Sequence, residues 1–156
     1  MPKNLITICD ELESIRNLVN QEFGVRSTEQ SNFWLPIVCT ARGAIFAEVI
    51  TQLVTEKYHQ PYHLKDRLRQ PLYRLGFQLL DRLQASPAVY LLQFDFNDTE
   101  LLFDRLIPFP DRPAIASVGV QEPDLFECHL LCTTNQPIYD LIIKSDRQLD
   151  SSHITL

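Results

Sequence analysis

Two cysteines and a histidine near the C-terminal end of the sequence are residue types that bind soft metal ions. Cys128 and Cys132 are one helical turn apart, and His129 follows the first of them. A zinc site needs three or four such ligands converging on the ion. The other cysteines, Cys9 and Cys39, lie far away in sequence. We therefore expect buried thiols that pack as small apolar side chains, and no metal site.

A second group with possible chemistry combines carboxylates with an arginine. Asp104 precedes Arg105, Asp111 follows six residues later, and Asp95 precedes them. Carboxylate pairs can bind magnesium, which prefers oxygen ligands, but a carboxylate beside an arginine more often forms an ion pair. Glycine-rich loops bind phosphates because a backbone without Cβ can approach them closely. The four glycines are scattered and form no such loop.

The region around Arg105 resembles a known family. Residues 104–111 read D-R-L-I-P-F-P-D, residues 125–130 read L-F-E-C-H-L, and the following loop ends at Gln136-Pro137-Ile138. This is similar to the C-terminal part of the ATP-grasp carboxyaminoimidazole ribonucleotide synthase family, which carries N-E-I-A-P-R-P-H, Q-F-E-Q-H-L and L-P-L. The two patterns can be aligned without a gap over residues 100–138.

The resemblance implies that the residues for metal and phosphate binding are replaced. In the family, the Glu of N-E and an acidic residue one strand earlier bind the magnesium ions of MgATP. The corresponding positions here hold Arg105 and either Leu92 or Gln93, while Phe109 stands at the arginine of A-P-R. An arginine repels the cation, and no source of strong phosphoryl electrostatics is evident. We therefore expect no bound metal, no cofactor and no ATP-dependent catalysis: the protein is not expected to be an enzyme.

Composition limits the possible partners and location. The formal net charge of −6 argues against nucleic acid, because affinity for nucleic acid comes mainly from neutralising phosphates. No apolar run approaches the roughly 18 residues that cross a bilayer, and the N-terminus has no signal-peptide core. The cysteines lack the short spacings of a disulfide framework. The expected location is the cytoplasm, with neither membrane nor nucleic acid as a partner.

Hydrophobic spacing predicts an α+β fold with a mainly antiparallel sheet and two to three packing helices, like the C-terminal half of an ATP-grasp domain. Predicted helices cover residues 10–21, about 70–83, where Pro71 favours a late start, and 125–132. Predicted strands cover 33–40, 44–54, 88–96, 100–107 and 138–143, with connections at 56–62 and 108–113. We expect one domain over residues 1–144 and a loose tail over residues 145–156.

A basic cluster precedes and enters the second predicted helix, at Lys65, Arg67, Arg69 and Arg74. Such a cluster is either a solvated helix face or a patch that receives the carboxylates of a partner. The sequence leaves both interpretations open.

Our preferred functional hypothesis is a non-catalytic adaptor or assembly chaperone that binds a peptide segment of a partner protein by strand addition or groove docking. The expected partner-binding residues combine aromatic rings with a guanidinium: Trp34, Tyr58, Tyr62, Arg105 and Phe109. In size and general sequence character the chain also resembles the small stand-alone cyanobacterial proteins that include a β-carboxysome assembly factor. That resemblance implies a carboxysome association and, as partner, the C-terminal tail of a shell protein.

Two alternatives remain open. One is a split ATP-grasp ligase subunit that completes an active site with another chain, with Asp104, Arg105 and Asp111 at a shared nucleotide site. The other is a structural subunit without a separable ligand.

Overall fold

The computed structural model describes residues 11–52, 54 and 57–144 of the chain. It contains three α-helices among these residues: α1 (Leu12–Phe23), α2 (Asp66–Arg82) and α3 (Leu125–Thr133). A 3₁₀ helix covers Arg112–Ser117. The strands are β1 (Arg26–Ser27), β2 (Phe33–Thr40), β3 (Gly43–Phe46), β4 (Val49–Gln52), β5 (Tyr58–Tyr62), β6 (Ala88–Asn97), β7 (Glu100–Ile107), β8 (Gln121–Glu122) and β9 (Ile142–Ile143).

Seven strands form one mainly antiparallel sheet. The strand order is β1-β7-β6-β2-β4-β5, and β3 pairs with β2 beside β4. Only β1 is parallel to its neighbour, β7, and it covers just Leu102 and Phe103 of that strand. Strands β8 and β9 form a separate two-stranded ribbon. The sheet therefore has long central strands, β2, β6 and β7, with short strands at its edges.

Both faces of this sheet are covered, which explains why the central strands are apolar at successive positions. One face, which we call face A, carries Leu35, Tyr90 and Phe94 and packs against apolar residues of α1 and α2. The opposite face, face B, carries Trp34 and Leu91 and packs against α3 and the 3₁₀ helix. Side chains alternate between the two faces along a strand. This alternation decides which of the predicted site residues can lie together.

Local signals explain where the helices begin and end. Gly24 terminates α1 in the left-handed conformation, with φ of 69°. Asp124 and Glu127 form a reciprocal capping box at the start of α3. The apolar face of α2, which includes Leu72, Leu75 and Leu79, is buried against face A. Each helix is thus held by the sheet as well as by its own sequence.

The predicted fold class is confirmed, since the structure combines a mostly antiparallel sheet with packing helices. The predicted strand over 44–54 is wrong in detail, because it is divided into β3 and β4. The break lies opposite Pro36, where the register between the strands slips by one residue, as in a β-bulge.

Three other predicted boundaries are wrong. Residues 58–62 form β5 and not a connection, because pairing with β4 orders a polar segment that has no apolar alternation. Helix α2 begins at Asp66 and continues through Pro71, since burial of its apolar face outweighs the lost donor. Within the predicted strand 138–143, only Ile142–Ile143 pairs, with β8. The predicted tail, residues 145–156, lies outside the described residues.

Candidate functional site

The two positions that the family resemblance assigns to metal ligands are neighbours across the sheet. Gln93 of β6 is opposite Arg105 of β7, and also opposite Trp34 of β2. Gln93 lies on face B, because Leu92 and Phe94 on either side of it belong to the face A core. The three residues therefore form a row across face B, about 5 Å apart from strand to strand. The row holds no carboxylate.

A network of hydrogen bonds occupies the carboxylate beside this row. Asp104 is 2% exposed, and its Oδ1 accepts from Arg16 Nη2 at 2.7 Å and from Arg105 Nε at 3.1 Å. Its Oδ2 accepts from Ser31 Oγ at 2.6 Å. Ser31 Oγ in turn accepts from Gln93 Nε2 at 3.0 Å. The carboxylate is therefore bound by three donors from three segments of the chain.

Asp95, the other candidate oxygen ligand, also bonds to the protein. Its Oδ1 accepts from the backbone N–H of Phe96 at 2.7 Å, and its Oδ2 from that of Asn32 at 3.3 Å. No group of three or more His, Cys, Asp or Glu side chains converges in a metal-binding arrangement within the described residues. An arginine occupies one metal-ligand position and the nearby carboxylate is already neutralised. The residues present therefore do not fit MgATP.

A groove of about 310 Å³ lies where β7 ends. We call it the β7 groove; its lining is Leu12, Arg105, Leu106, Ile107, Pro108, Phe109 and Asp111. Phe109 is 46% exposed, which is unusual for so large an apolar ring. Beyond Phe103 no described strand pairs with the outer edge of β7, because β1 ends at Ser27. The groove thus combines an open strand edge with an apolar lining and one arginine.

Arg105 is held in a fixed orientation at this groove. Its side chain is 44% exposed, and its Nε is bound to the buried Asp104. Asp111 is the other charged group in the lining, and its Oδ1 accepts from the backbone N–H of Arg112 at 2.8 Å. The Nη atoms of Arg105 form no hydrogen bond or ion pair with any described residue. They are the donors that a carboxylate from a partner can reach.

The predicted aromatic residues do not share one surface. Trp34 is 5% exposed in the face B core and makes an edge-to-face contact with Tyr58, with ring centroids 5.4 Å apart. Tyr62 packs against Phe33, with centroids 5.1 Å apart, on the side of face A. The five predicted residues therefore fall into three places: Arg105 and Phe109 in the β7 groove, Trp34 and Tyr58 in the packed face, and Tyr62 elsewhere.

The cysteine and histidine cluster is held by structural contacts. His129 Nδ1 accepts from the backbone N–H of Val89 at 3.2 Å, and burial lowers the pKa of His129. Burial, with a smaller effect from Cys132, raises the pKa of Cys128 to about 12. Burial also raises the pKa of Cys132 to about 11. Protonated thiols are weak metal ligands and weak nucleophiles.

Sequence reasoning missed two contributors to the site. Arg16 lies 88 residues from Asp104 in sequence, and Leu12 lines the groove from the same helix. One signal for Arg16 was present, since it directly follows the core residue Ile15 on a helix whose other charged residues are exposed. Nothing in the local sequence identified its partner.

Comparison with known proteins places the fold. No protein-family model matches the chain, and no curated protein matches its sequence. Among solved structures, glycinamide-RNase-transformylase T from Mycobacterium tuberculosis is similar, with a TM-score of 0.70, 15% identity, and coverage of 85% of this chain and 50% of that one. N5-carboxyaminoimidazole ribonucleotide synthetase from Thermotoga maritima matches with a TM-score of 0.62, 12% identity, and coverage of 75% and 32%. The synthetase of that name from Thermus thermophilus gives 0.61, 17%, 72% and 33%.

The chain therefore spans between a third and a half of the length of these enzymes. At such low identity the similarity establishes architecture and not activity. This chain has a partial ATP-grasp-like fold.

Proposed function

We propose that this protein is a non-catalytic adaptor or assembly chaperone that captures a peptide segment of a partner protein in the β7 groove. The observation that carries the proposal is the combination of Arg105, fixed by a buried carboxylate, with the exposed ring of Phe109 in one groove. A guanidinium beside an apolar ring suits a segment with a carboxylate next to an apolar side chain.

The replaced metal-ligand positions support the non-catalytic part of the proposal. ATP-grasp chemistry needs magnesium on the ATP phosphates, and Gln93 and Arg105 supply no anionic oxygen. Asp104 cannot substitute for them without losing Arg16 and Ser31 as partners. A buried arginine–carboxylate pair is expensive to break.

The open edge of β7 supports the mode of capture. An extended peptide can add to a free strand edge through main-chain hydrogen bonds, while pockets for its side chains give specificity. The opposite edge of the sheet is formed by β5, which contains Pro61. Proline lacks a donor and blunts an edge strand against pairing. The β7 edge is therefore the better docking site.

The finer form of the proposal takes its partner from the resemblance to cyanobacterial assembly factors. In that form, the captured segment is the C-terminal tail of a carboxysome shell protein. A C-terminal tail supplies a terminal carboxylate, which is the group that the free Nη atoms of Arg105 suit.

Affinity purification followed by peptide mapping tests the proposal. The expected result is a partner whose bound region is one short segment, and whose synthetic copy binds the purified protein in calorimetry. Recovery of a polypeptide that binds MgATP only together with this chain would overturn the proposal in favour of the split ligase. Absence of any stoichiometric partner would overturn it in favour of a structural subunit.

A further inference from the structure

A strip of basic residues lies on the opposite side of the sheet from the β7 groove. The segment 57–74 holds five of the chain's 14 Lys and Arg residues but one of its 20 Asp and Glu residues. It also contains two of the four histidines, His59 and His63. This segment comprises the edge strand β5, a short connection and the first half of α2. The charges of an acidic protein are thus strongly segregated.

The cations of this strip are free, in contrast to those elsewhere. Lys57, Lys65, Arg67 and Arg74 are exposed and form no ion pair with any residue that the structure describes, while Arg69 pairs with Asp66. Most described basic residues outside the strip are paired, namely Arg16, Arg26, Arg82, Arg105 and Lys144. A fold that pairs most of its cations leaves this set unpaired.

The elements hold the strip in one continuous line. Strand β5 is the last strand of the sheet and leads directly into α2 through Lys65. Arg67 and Arg74 are seven residues apart, so they project from the same side of α2. At about 3.3 Å per strand residue and 1.5 Å per helical residue, β5 and the first half of α2 span roughly 30 Å. That length corresponds to about nine residues of extended peptide.

We infer that this basic strip, Lys57, Lys65, Arg67 and Arg74, is a second docking surface, and that it binds an acidic segment of a partner protein. Carboxylates spaced along an extended chain can meet these cations in turn. Nucleic acid fits less well. The remaining sequence holds nine basic and 19 acidic residues, so a long polyanion leaving the strip meets a repulsive surface. The inference does not depend on the β7 groove.

A labelled peptide of 12 glutamates serves as the probe, with fluorescence anisotropy as the readout. At low salt the wild-type protein should bind it, and a rise to about 0.2 M salt should weaken binding by about tenfold or more, because screening shortens the range of the charges. Reversal of two strip charges, R67E with R74E, should lower the affinity by about tenfold or more at low salt.

The matched control is R42E with R112E, which makes the same change in net charge. Arg42 and Arg112 are exposed and form no ion pair with a described residue, but they lie outside the strip. We expect this control to weaken peptide binding by less than about threefold. Equal losses in the two variants, or no binding by the wild type at millimolar peptide, would overturn the inference.

Two further arms exclude other occupants. A 12-nucleotide single-stranded RNA should bind more weakly than the peptide, and tighter RNA binding would overturn the assignment of a protein partner. Sedimentation should find the wild type and R67E/R74E in the same oligomeric state. Self-association that disappears in R67E/R74E would show that a second copy of this chain covers the strip, which also contradicts the inference.

Discussion

Asp104 shows how one residue can keep the position of a former active site while changing its chemistry. Its carboxylate is buried and bound by Arg16, Ser31 and Arg105. Removing a charge from water is costly unless hydrogen bonds and an opposite charge replace the lost solvation. Here both are supplied by groups from α1, from the loop before β2 and from β7. The same bonds orient the guanidinium of Arg105 toward the β7 groove.

Loss of Arg16 should therefore be far more damaging than loss of an exposed arginine. We expect Arg16→Ala to lower the free energy of unfolding by about 3 kcal/mol, because Asp104 is left with a single partly exposed cationic partner. Chemical denaturation measures this change. Arg26, which pairs with Glu100 at the surface, is the control, and Arg26→Ala should have a much smaller effect. Equal losses in the two variants would contradict the structural role of the Asp104 network.

The thiols of α3 should be unreactive in the native protein. The raised pKa values, about 12 for Cys128 and about 11 for Cys132, keep both thiols protonated at pH 8. Iodoacetamide reacts with the thiolate. Mass spectrometry at pH 8 should therefore find both cysteines unmodified in native protein and alkylated in urea. Alkylation of Cys128 at the same rate in both conditions would contradict this prediction.

The same shifts predict how stability depends on pH. Both thiols have a higher pKa in the folded state than in the unfolded chain, where a thiol titrates near 9. The unfolded chain therefore releases these protons first as pH rises. The stabilising contribution is complete below about pH 9 and is lost as pH rises toward 12. Urea midpoints measured between pH 8 and 11 should fall over this range, and should fall less in Cys128→Ala relative to its own value at pH 8.

At the scale of elements, the long apolar strands and the amphipathic helices could be predicted from sequence. Strand β2 agrees with its predicted bounds, and β6 and β7 agree within a residue. Strand β5 could not be predicted, because its polar sequence becomes a strand only through pairing with β4. The site was predicted where it is local in sequence, at Arg105 and Phe109. It was not predicted where it depends on the sheet face, as for Trp34 and Tyr62, since β5 and the slipped register of β4 were unknown.

The capping box should contribute to the stability of α3, the helix that covers face B. Asp124 Oδ1 accepts from the backbone N–H of Glu127 at 2.9 Å, and Glu127 returns the bond to Asp124. We expect Asp124→Ala to lower the free energy of unfolding by about 1 kcal/mol, the usual value of such a cap. Asp81→Ala, in the exposed middle of α2, should change it little. An unfolding curve for Asp124→Ala identical to that of the wild type would contradict the role of the cap.

At the scale of the whole molecule, the structure pairs an enzyme-like architecture with a surface suited to binding. The sheet resembles that of the solved ATP-grasp enzymes over 72% to 85% of this chain. Its metal-ligand positions hold Gln93 and Arg105. None of the helices that the structure describes is long and apolar enough to cross a membrane. A fold can retain its shape while its site takes up another role.

Titration with MgATP should therefore give no saturable heat at millimolar ligand. The reason is the lack of a free carboxylate beside Arg105, since the carboxylate of Asp104 is bound by three donors. Isothermal calorimetry on the purified chain measures this directly. A dissociation constant in the low micromolar range would contradict the proposed loss of nucleotide binding.

The account depends most on the β7 groove as the place where a partner is captured. The direct measurement is the affinity of the recovered partner segment for Arg105→Ala and Phe109→Ala, beside Arg42→Ala and Phe77→Ala as matched controls. Phe77 is 62% exposed and lies outside the groove. The account predicts that each groove variant, folded by circular dichroism, weakens binding by more than about tenfold, or about 1.4 kcal/mol, while the controls do not. Wild-type affinity in both folded groove variants would contradict it.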